Sequence, residues 1–389
     1  MKSISRKEFI QKTGALTTGV MISPAMAGGR MKAVNFNKIR VGVIGCGSVS
    51  NSYFPHLSQS PYTDIVSACD IIFERAVSQA RRFSIPHTYP HIDQMLAGAP
   101  FDLLVNLTDM QEHGRLNKIA LKAGKHVWSE KPLANTVPEG KELLKLAKEM
   151  EVRIWGAPVV VNSPQFAFMA EAVRTGKLGN ISSAHAHYGH LGPTWSAFFY
   201  EKGGGSLPDL GVYNLATLTG LLGPAKYVTA MTSIVTPVRK TDNKGEVKVE
   251  AEDNAMVLMD HGNGILSHVQ SGFNYFDPYG HTGTGQDRPT VLIWGTRGNM
   301  GLVGYDWAPF GVDLATLDHE DPVRYADDAR GYVWQEGASI VAEALATGKE
   351  TLVTAEHSLH VLEIIEAARR SGQSGERIKI TTGFKYPVI

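Results

Sequence analysis

Ile39-Arg40-Val41-Gly42-Val43-Ile44-Gly45-Cys46-Gly47-Ser48-Val49-Ser50 is the stretch on which the rest of the chain turns. An apolar run of strand length ends in two glycines one residue apart, and small residues suited to a helix start follow. Glycine at 45 permits a tight turn, and glycine at 47 lets backbone approach a pyrophosphate at the helix N-terminus. Ser50 stands where the G-x-G-x-x-G fingerprint has its third glycine, and it is small enough to keep helix and sheet close. Ser48 and Val49 complete the candidate phosphate loop. Asp70, 25 residues beyond Gly45, closes the next apolar run, Ile65-Val66-Ser67-Ala68-Cys69. Its carboxylate suits the ribose hydroxyls of a dinucleotide and repels a 2′-phosphate. The spacing predicts NAD as cofactor, with Arg75 keeping NADP open as the alternative.

The alternation begun there continues outward. Short apolar runs recur at Phe101 to Leu107, around His126-Val127-Trp128, and at Val152 to Trp155. Between the last two, Leu143, Ala147 and Met150 fall at helical spacing behind Pro138, a residue suited to a first helical turn. Strands alternating with helices predict a doubly wound parallel sheet, a Rossmann domain, over residues 36–157. Beyond Pro158 the pattern changes. A helix is expected from Ser163-Pro164 to near Gly176. Long β-branched and aromatic stretches follow at 181–188, 227–235, 246–260 and 265–273, with His261-Gly262-Asn263-Gly264 as a hairpin turn. A helix returns over 354–370, its stripe formed by Val361, Ile364, Ile365 and Ala368. Residues 158–389 therefore read as an α+β domain with a large, mostly antiparallel open sheet.

Composition narrows the functional classes. The chain has 389 residues, long enough for two cores. Its 38 basic side chains balance 38 acidic ones, without the clustered excess that nucleic acid requires. No segment offers about 18 uninterrupted apolar residues, so no membrane span is expected. The two cysteines, Cys46 and Cys69, are expected as buried free thiols rather than a bridge. Residues 1–27 have the order of a signal peptide: basic Lys2, Arg6 and Lys7, an apolar stretch from Gly14 to Ile22, and Ala25-Met26-Ala27 as cleavage site. Ser5 to Ile10 resembles a twin-arginine export motif with Lys7 in one arginine place. An exported, periplasmic protein is expected.

Two further segments carry chemistry. Glu130-Lys131-Pro132 follows the run at His126 to Trp128, at the carboxyl edge of a parallel sheet, where ligands bind. Gly203-Gly204-Gly205 precedes a helical segment on which Asp209 and Tyr213, four apart, share a face. With the glycine loop, Asn106-Leu107-Thr108 and His113, and Leu178-Gly179-Asn180-Ile181, these segments resemble the glucose–fructose oxidoreductase, inositol dehydrogenase and rhizopine-catabolism (Gfo/Idh/MocA) family along nearly the whole chain after the leader. The resemblance implies that Lys131 lies beside nicotinamide and substrate. It implies that Asn106, Thr108, His113 and Glu130 line the cofactor site, and that the Lys131–Pro132 bond is cis. Tyrosine at 213, where many members carry histidine, is similar to the branch of glucose–fructose oxidoreductase and dihydrodiol dehydrogenase. Members often associate through the open sheet, so a homo-oligomer is expected.

Removing hydride from a carbinol carbon requires its hydroxyl proton to leave, so a base must lie within reach. A tyrosine titrates near 10, and a neighbouring ammonium lowers that value. Lys131 and Tyr213 are expected to act as an acid–base pair, with Asp209 positioning substrate hydroxyls. Asn162, His187 and His190 are further candidate substrate contacts; His185, His187 and His190 form an HxHxxH string, but no acid or cysteine beside it completes a metal site. The expected activity is an NAD(P)-dependent oxidoreductase acting on a sugar, polyol or glycoside hydroxyl. Glycoside cleavage by transient oxidation, and a non-catalytic sugar sensor, are the alternatives. The loop from Phe276 to Gly285, with Tyr279 and His281, is a candidate lid or subunit contact.

Overall fold

The computed structural model describes residues 37–276 and 287–389; the leader over 1–27 and the loop's Tyr279 and His281 lie outside them. The first sheet holds β1 (Ile39–Ile44), β2 (Thr63–Cys69), β3 (His87–Tyr89), β4 (Leu103–Asn106), β5 (His126–Ser129) and β6 (Ile154–Gly156). All pair in parallel, in the order β3-β2-β1-β4-β5-β6. Interleaved are α1 (Ser50–Gln59), α2 (Phe73–Phe83), α3 (Ile92–Ala97), α4 (His113–Lys122) and α5 (Val137–Glu149). Val41, Val43, Leu103 and Val105 are fully buried because helices cover both faces of such a sheet. Thr136 caps α5 by accepting from Glu139 N, with Pro138 in its first turn. Strand β3 was not expected. Its three residues, His-Thr-Tyr, carry no apolar run to announce it.

The second sheet is reached through α6 (Pro164–Arg174), capped by Ser163 as expected. It contains β7 (Ile181–Gly189), then, beyond α7 (Val212–Leu222), β8 (Tyr227–Ser233). A separate two-stranded ribbon, β9 (Val238–Thr241) and β10 (Gly245–Lys248), precedes β11 (Asn254–Gly262) and β12 (Ile265–Gly272). A meander follows: β13 (Pro289–Gly295), β14 (Gly298–Tyr305), β15 (Ala308–Thr316) and β16 (His319–Tyr325). The order is β16-β15-β14-β13-β7-β12-β11-β8-β17, with β17 at Ile378–Lys379, and only β7 against β12 is parallel. The stretch expected as one strand over 246–260 breaks in the middle. There Asp253 is buried and accepts from Val235 N and Thr236 N at 2.7 and 3.0 Å, which fixes a turn instead of a ladder.

The last quarter of the chain returns to the first sheet. Helix α8 (Gly337–Thr347) sets Gly337 against Trp128, where a Cβ would come within 2.1 Å of the indole. Helix α9 (Ala355–Ser374) lies between the two sheets. Its Leu359 and Leu362 pack with Leu104 and Val127, whereas Val361, Ile364 and Ile365 join the core under the second sheet. Among the described residues no helix is long and apolar enough to cross a membrane.

Two histidines of α9 are buried. His357 Nε2 lies 2.8 Å from Thr219 Oγ1, and His360 Nε2 accepts from Ala225 N at 3.0 Å. Burial lowers them to about 3 and about 4. A histidine depressed on folding contributes stability above its unfolded value near 6.5, and loses it as pH falls toward the folded value. The melting temperature is therefore expected to fall as pH drops from about 6.5 toward 4. In His357→Gln that dependence is expected to shrink, as calorimetry across the window would measure.

Candidate active site

The glycine loop connects β1 to α1. Gly45 adopts φ +89°, and a Cβ there would lie 2.5 Å from the Leu107 carbonyl carbon, so the chain itself demands glycine. At Gly47 a Cβ would meet only Arg75 Nη1, at 3.8 Å. Nothing in the fold requires that position bare, and Ser48 beside it is exposed. Val49 precedes α1, and Ser50 Oγ donates to Gly47 O at 2.6 Å and accepts from Gln79 Nε2 at 3.2 Å. Asp70 braces the loop: Oδ2 accepts from Cys46 N at 2.7 Å and Oδ1 from Ile72 N at 2.8 Å. Each oxygen keeps a second lone pair for a ribose hydroxyl. Cys46 and Cys69 are free and buried, and burial pushes both thiols up to about 12.

The turn after β5 is held from several sides. Glu130 is buried; its Oε1 accepts from Tyr53 on α1 at 2.5 Å and its Oε2 from Lys131 N at 3.1 Å. Trp128 Nε1 donates to the same tyrosine oxygen at 3.2 Å. Asn117 Nδ2 donates to Ser129 Oγ at 2.9 Å and to Leu133 O at 3.0 Å. His113 sets Nδ1 2.8 Å from Pro132 O and Nε2 2.9 Å from Thr108 O, and burial holds its pKa below the ordinary value. The Lys131–Pro132 bond is cis. Thus placed, Lys131 Nζ donates to Asp209 Oδ1 at 2.7 Å and Asp209 O at 2.9 Å, the two side chains 12% and 13% exposed.

Asp209 and Tyr213 lie on a π-helical turn, Leu207–Gly211, running into α7. The Lys131 ammonium stands 5.4 Å from the centre of the Tyr213 ring, a cation–π contact. The expected lowering of the phenol is not what this environment does. Burial foremost, then Glu130 and Asp209, push Tyr213 well above its ordinary value, so it stays protonated. Packing requires glycine at two positions of the triplet. A Cβ at Gly204 would strike Phe198 O at 2.4 Å, and one at Gly205 would strike Glu252 Oε1 at 2.4 Å. Glu252 in turn pairs with Arg369 at 2.9 Å and accepts from Leu207 N, fixing the segment that carries Asp209.

Other expected contacts fall elsewhere. Along β7 the buried Ala184, Ala186 and Tyr188 face α7, and the Tyr188 ring lies 6.3 Å from Tyr213. A two-residue period sends His185 and His187 to the opposite face, so His187 does not point at this site. There His185 Nδ1 meets His268 Nδ1 at 2.8 Å. His190 is on the Tyr188 side, 6.0 Å ring to ring, and its Nδ1 accepts from Gly192 N. Asn162 ends a short 3-10 turn, half-buried; no hydrogen bond joins it to Lys131, Asp209 or Tyr213 among the described residues. Asn106 is fully buried, its amide committed to Asn117 and Thr108, so it shapes the loop and leaves Thr108 as the half-buried member. Tyr188 and Tyr53 were missed. The alternation of β7 marks Tyr188 once the inward face is known; Tyr53 has no such local sign. Among the described residues no cluster of His, Cys, Asp and Glu is placed to hold a metal ion.

Comparison with known proteins identifies the family of both domains. Residues 39–157 match the family model described as an oxidoreductase family with an NAD-binding Rossmann fold, and residues 166–300 match that of the GFO/IDH/MocA C-terminal domain. The chain belongs to the GFO/IDH/MocA oxidoreductase family. Trans-1,2-dihydrobenzene-1,2-diol dehydrogenase of Mus musculus is 25% identical, over 86% of this chain and 96% of its own. The 1,5-anhydro-D-fructose reductase of Ensifer adhaerens is 25% identical, over 80% and 97%. A levoglucosan dehydrogenase solved with NADH shares the fold at a TM-score of 0.76 and 19% identity, covering 89% of this chain and all of the other.

NAD, the cofactor of a GFO/IDH/MocA Rossmann domain, fits the residues present. The backbone at Gly47 is open where a Cβ would only fill space, the first N–H groups of α1 follow it, and Asp70 stands at the end of β2. Two substitutions separate fold from ligand. Gly47→Ala is expected to leave the melting temperature unchanged and to weaken NAD binding about tenfold or more, measured by calorimetric titration. Gly45→Ala, strained against Leu107, is expected to lower both.

Proposed function

We propose that the protein transfers hydride between NAD and a secondary alcohol or ketone of a sugar, polyol or glycoside, with Lys131 as the proton-transfer residue. The observation that carries this is the Lys131–Asp209 pair: an ammonium fixed at 2.7 Å, largely shielded from water, beside a protonated phenol and next to the dinucleotide loop's helix through Tyr53 and Glu130. NAD, when bound, supplies the hydride acceptor. The side chains do the rest. In the reducing direction the Lys131 ammonium gives a proton to the carbonyl oxygen. In the oxidising direction the neutral amine takes the hydroxyl proton, and Asp209 fixes the direction of its N–H bonds. Tyr213, kept as the phenol, donates a hydrogen bond toward the same oxygen, which replaces the phenolate expected from sequence. The carbohydrate part of the proposal is supported by relatives named as acting on 1,5-anhydro-D-fructose and on D-apiose.

The exposed Met231, Met256, Leu258, Leu266 and Trp294 support association of two copies through the outer face of the second sheet. Residues 1–27 support export. Sedimentation and cell fractionation test these two parts.

Turnover tests the first. Lys131→Met is expected to lower kcat/KM on the best sugar of a screen by about 10²–10⁴-fold, with NAD affinity unchanged. An activity retained within about tenfold would remove Lys131 from the reaction. Release of an aglycone without net change in nicotinamide absorbance would assign the same residues to glycoside cleavage instead.

A further inference from the structure

Beyond Tyr213, segments distant in sequence converge. Asp306 and Trp307 form the two-residue turn between β14 and β15. Hairpin tips ordinarily stand in water, yet here Asp306 is 2% exposed and Trp307 half-buried. The tip is drawn inward because Asp306 Oδ2 accepts from Asn214 Nδ2 and Thr217 Oγ1 of α7, each at 2.9 Å. Tyr332 and Trp334 arrive from the connection between β16 and α8, and both are half-buried.

The two indoles make a corner. Trp307 and Trp334 lie 5.9 Å apart with their planes at 69°. Trp334 meets the Tyr213 ring edge-on at 6.1 Å, and Trp307 lies 6.0 Å from Tyr188. The corner therefore adjoins the ring over which Lys131 stands. Around it, Asp306 Oδ1, Asn214 Oδ1 and the Tyr332 hydroxyl are buried without a hydrogen-bond partner among the described residues. One such atom is unremarkable, but three around one aromatic corner require an explanation, and a hydroxyl-bearing guest supplies it.

We propose that Trp307 and Trp334 are the platform on which the ring of a cyclic, hydroxyl-rich substrate stacks, with Asp306, Asn214 and Tyr332 receiving its hydroxyls. The proposal rests on the sugar-oxidoreductase reading above and names its specificity residues. A pyranose or cyclic polyol presents an apolar C–H face to an indole and hydroxyls at its edge. An open-chain polyol has no such face, so the corner discriminates ring from chain.

The test uses NAD-loaded wild type, Trp307→Leu, Trp334→Leu and Tyr332→Phe, with glucose and myo-inositol as cyclic probes and sorbitol as the open-chain probe. Steady-state turnover is measured beside the quenching of tryptophan fluorescence on sugar addition. Each tryptophan variant is expected to raise KM for a turned-over cyclic probe about tenfold, with kcat and NAD affinity little changed and sorbitol unaffected. Tyr332→Phe removes a hydroxyl that the fold does not use, so the melting temperature is expected to hold while cyclic KM rises. Equal losses on cyclic and open-chain probes, or no loss, would overturn the platform. If wild type turns over no sugar but shows cyclic-probe quenching that the variants lose, the redox reading fails and the platform stands. Neither turnover nor quenching would overturn both.

Discussion

The site depends on where the chain turns after β5. A lysine has four rotatable bonds, and aiming its ammonium at one point costs conformational freedom that the surroundings must offset. Here the backbone of the turn is fixed before the side chain begins. Glu130 is tied to Tyr53, Pro132 O meets His113, and Asn117 reaches both Ser129 and Leu133. Only then does Lys131 reach across to Asp209. The ion pair is the end of a chain of buried hydrogen bonds, and a missing member leaves a buried polar group unpaired.

The two sheets divide the labour. The parallel sheet presents loops at its carboxyl edge and holds the glycine turn, Asp70 and Lys131. The antiparallel sheet presents one face to α7, through Tyr188, and delivers Asp306 and Trp307 on a hairpin tip. Helix α9, buried on both sides, locks one sheet to the other. Asp209 and Tyr213 thus meet Lys131 by global packing, not by local pattern.

That division explains what could be read from sequence. The glycine loop, Asp70, Glu130-Lys131-Pro132 and the Asp209 to Tyr213 spacing are short-range patterns with a local physical reason, and each lies at the expected place. The three-residue β3 and the mostly exposed β16 carry no burial period, so they gave no signal. His187, a candidate substrate contact by sequence, lies on the opposite face, because alternation says which residues share a side, not which side is inward. The direction of the Tyr213 shift depends on burial, which outweighs a single nearby ammonium and is invisible before packing is known. Trp307 and Trp334 needed the whole fold, since nothing local brings two aromatic residues 27 positions apart into contact.

His113 faces more carbonyl oxygens than its neutral ring has protons to give. Both ring nitrogens face carbonyl oxygens, one on the Thr108 side and one on the Pro132 side. Burial favours the neutral ring, which has a single N–H to give. One carbonyl is then bound and the other faces a lone pair. The choice of tautomer decides which of the two loops is fastened and which is left to yield, with no atom heavier than hydrogen needing to move.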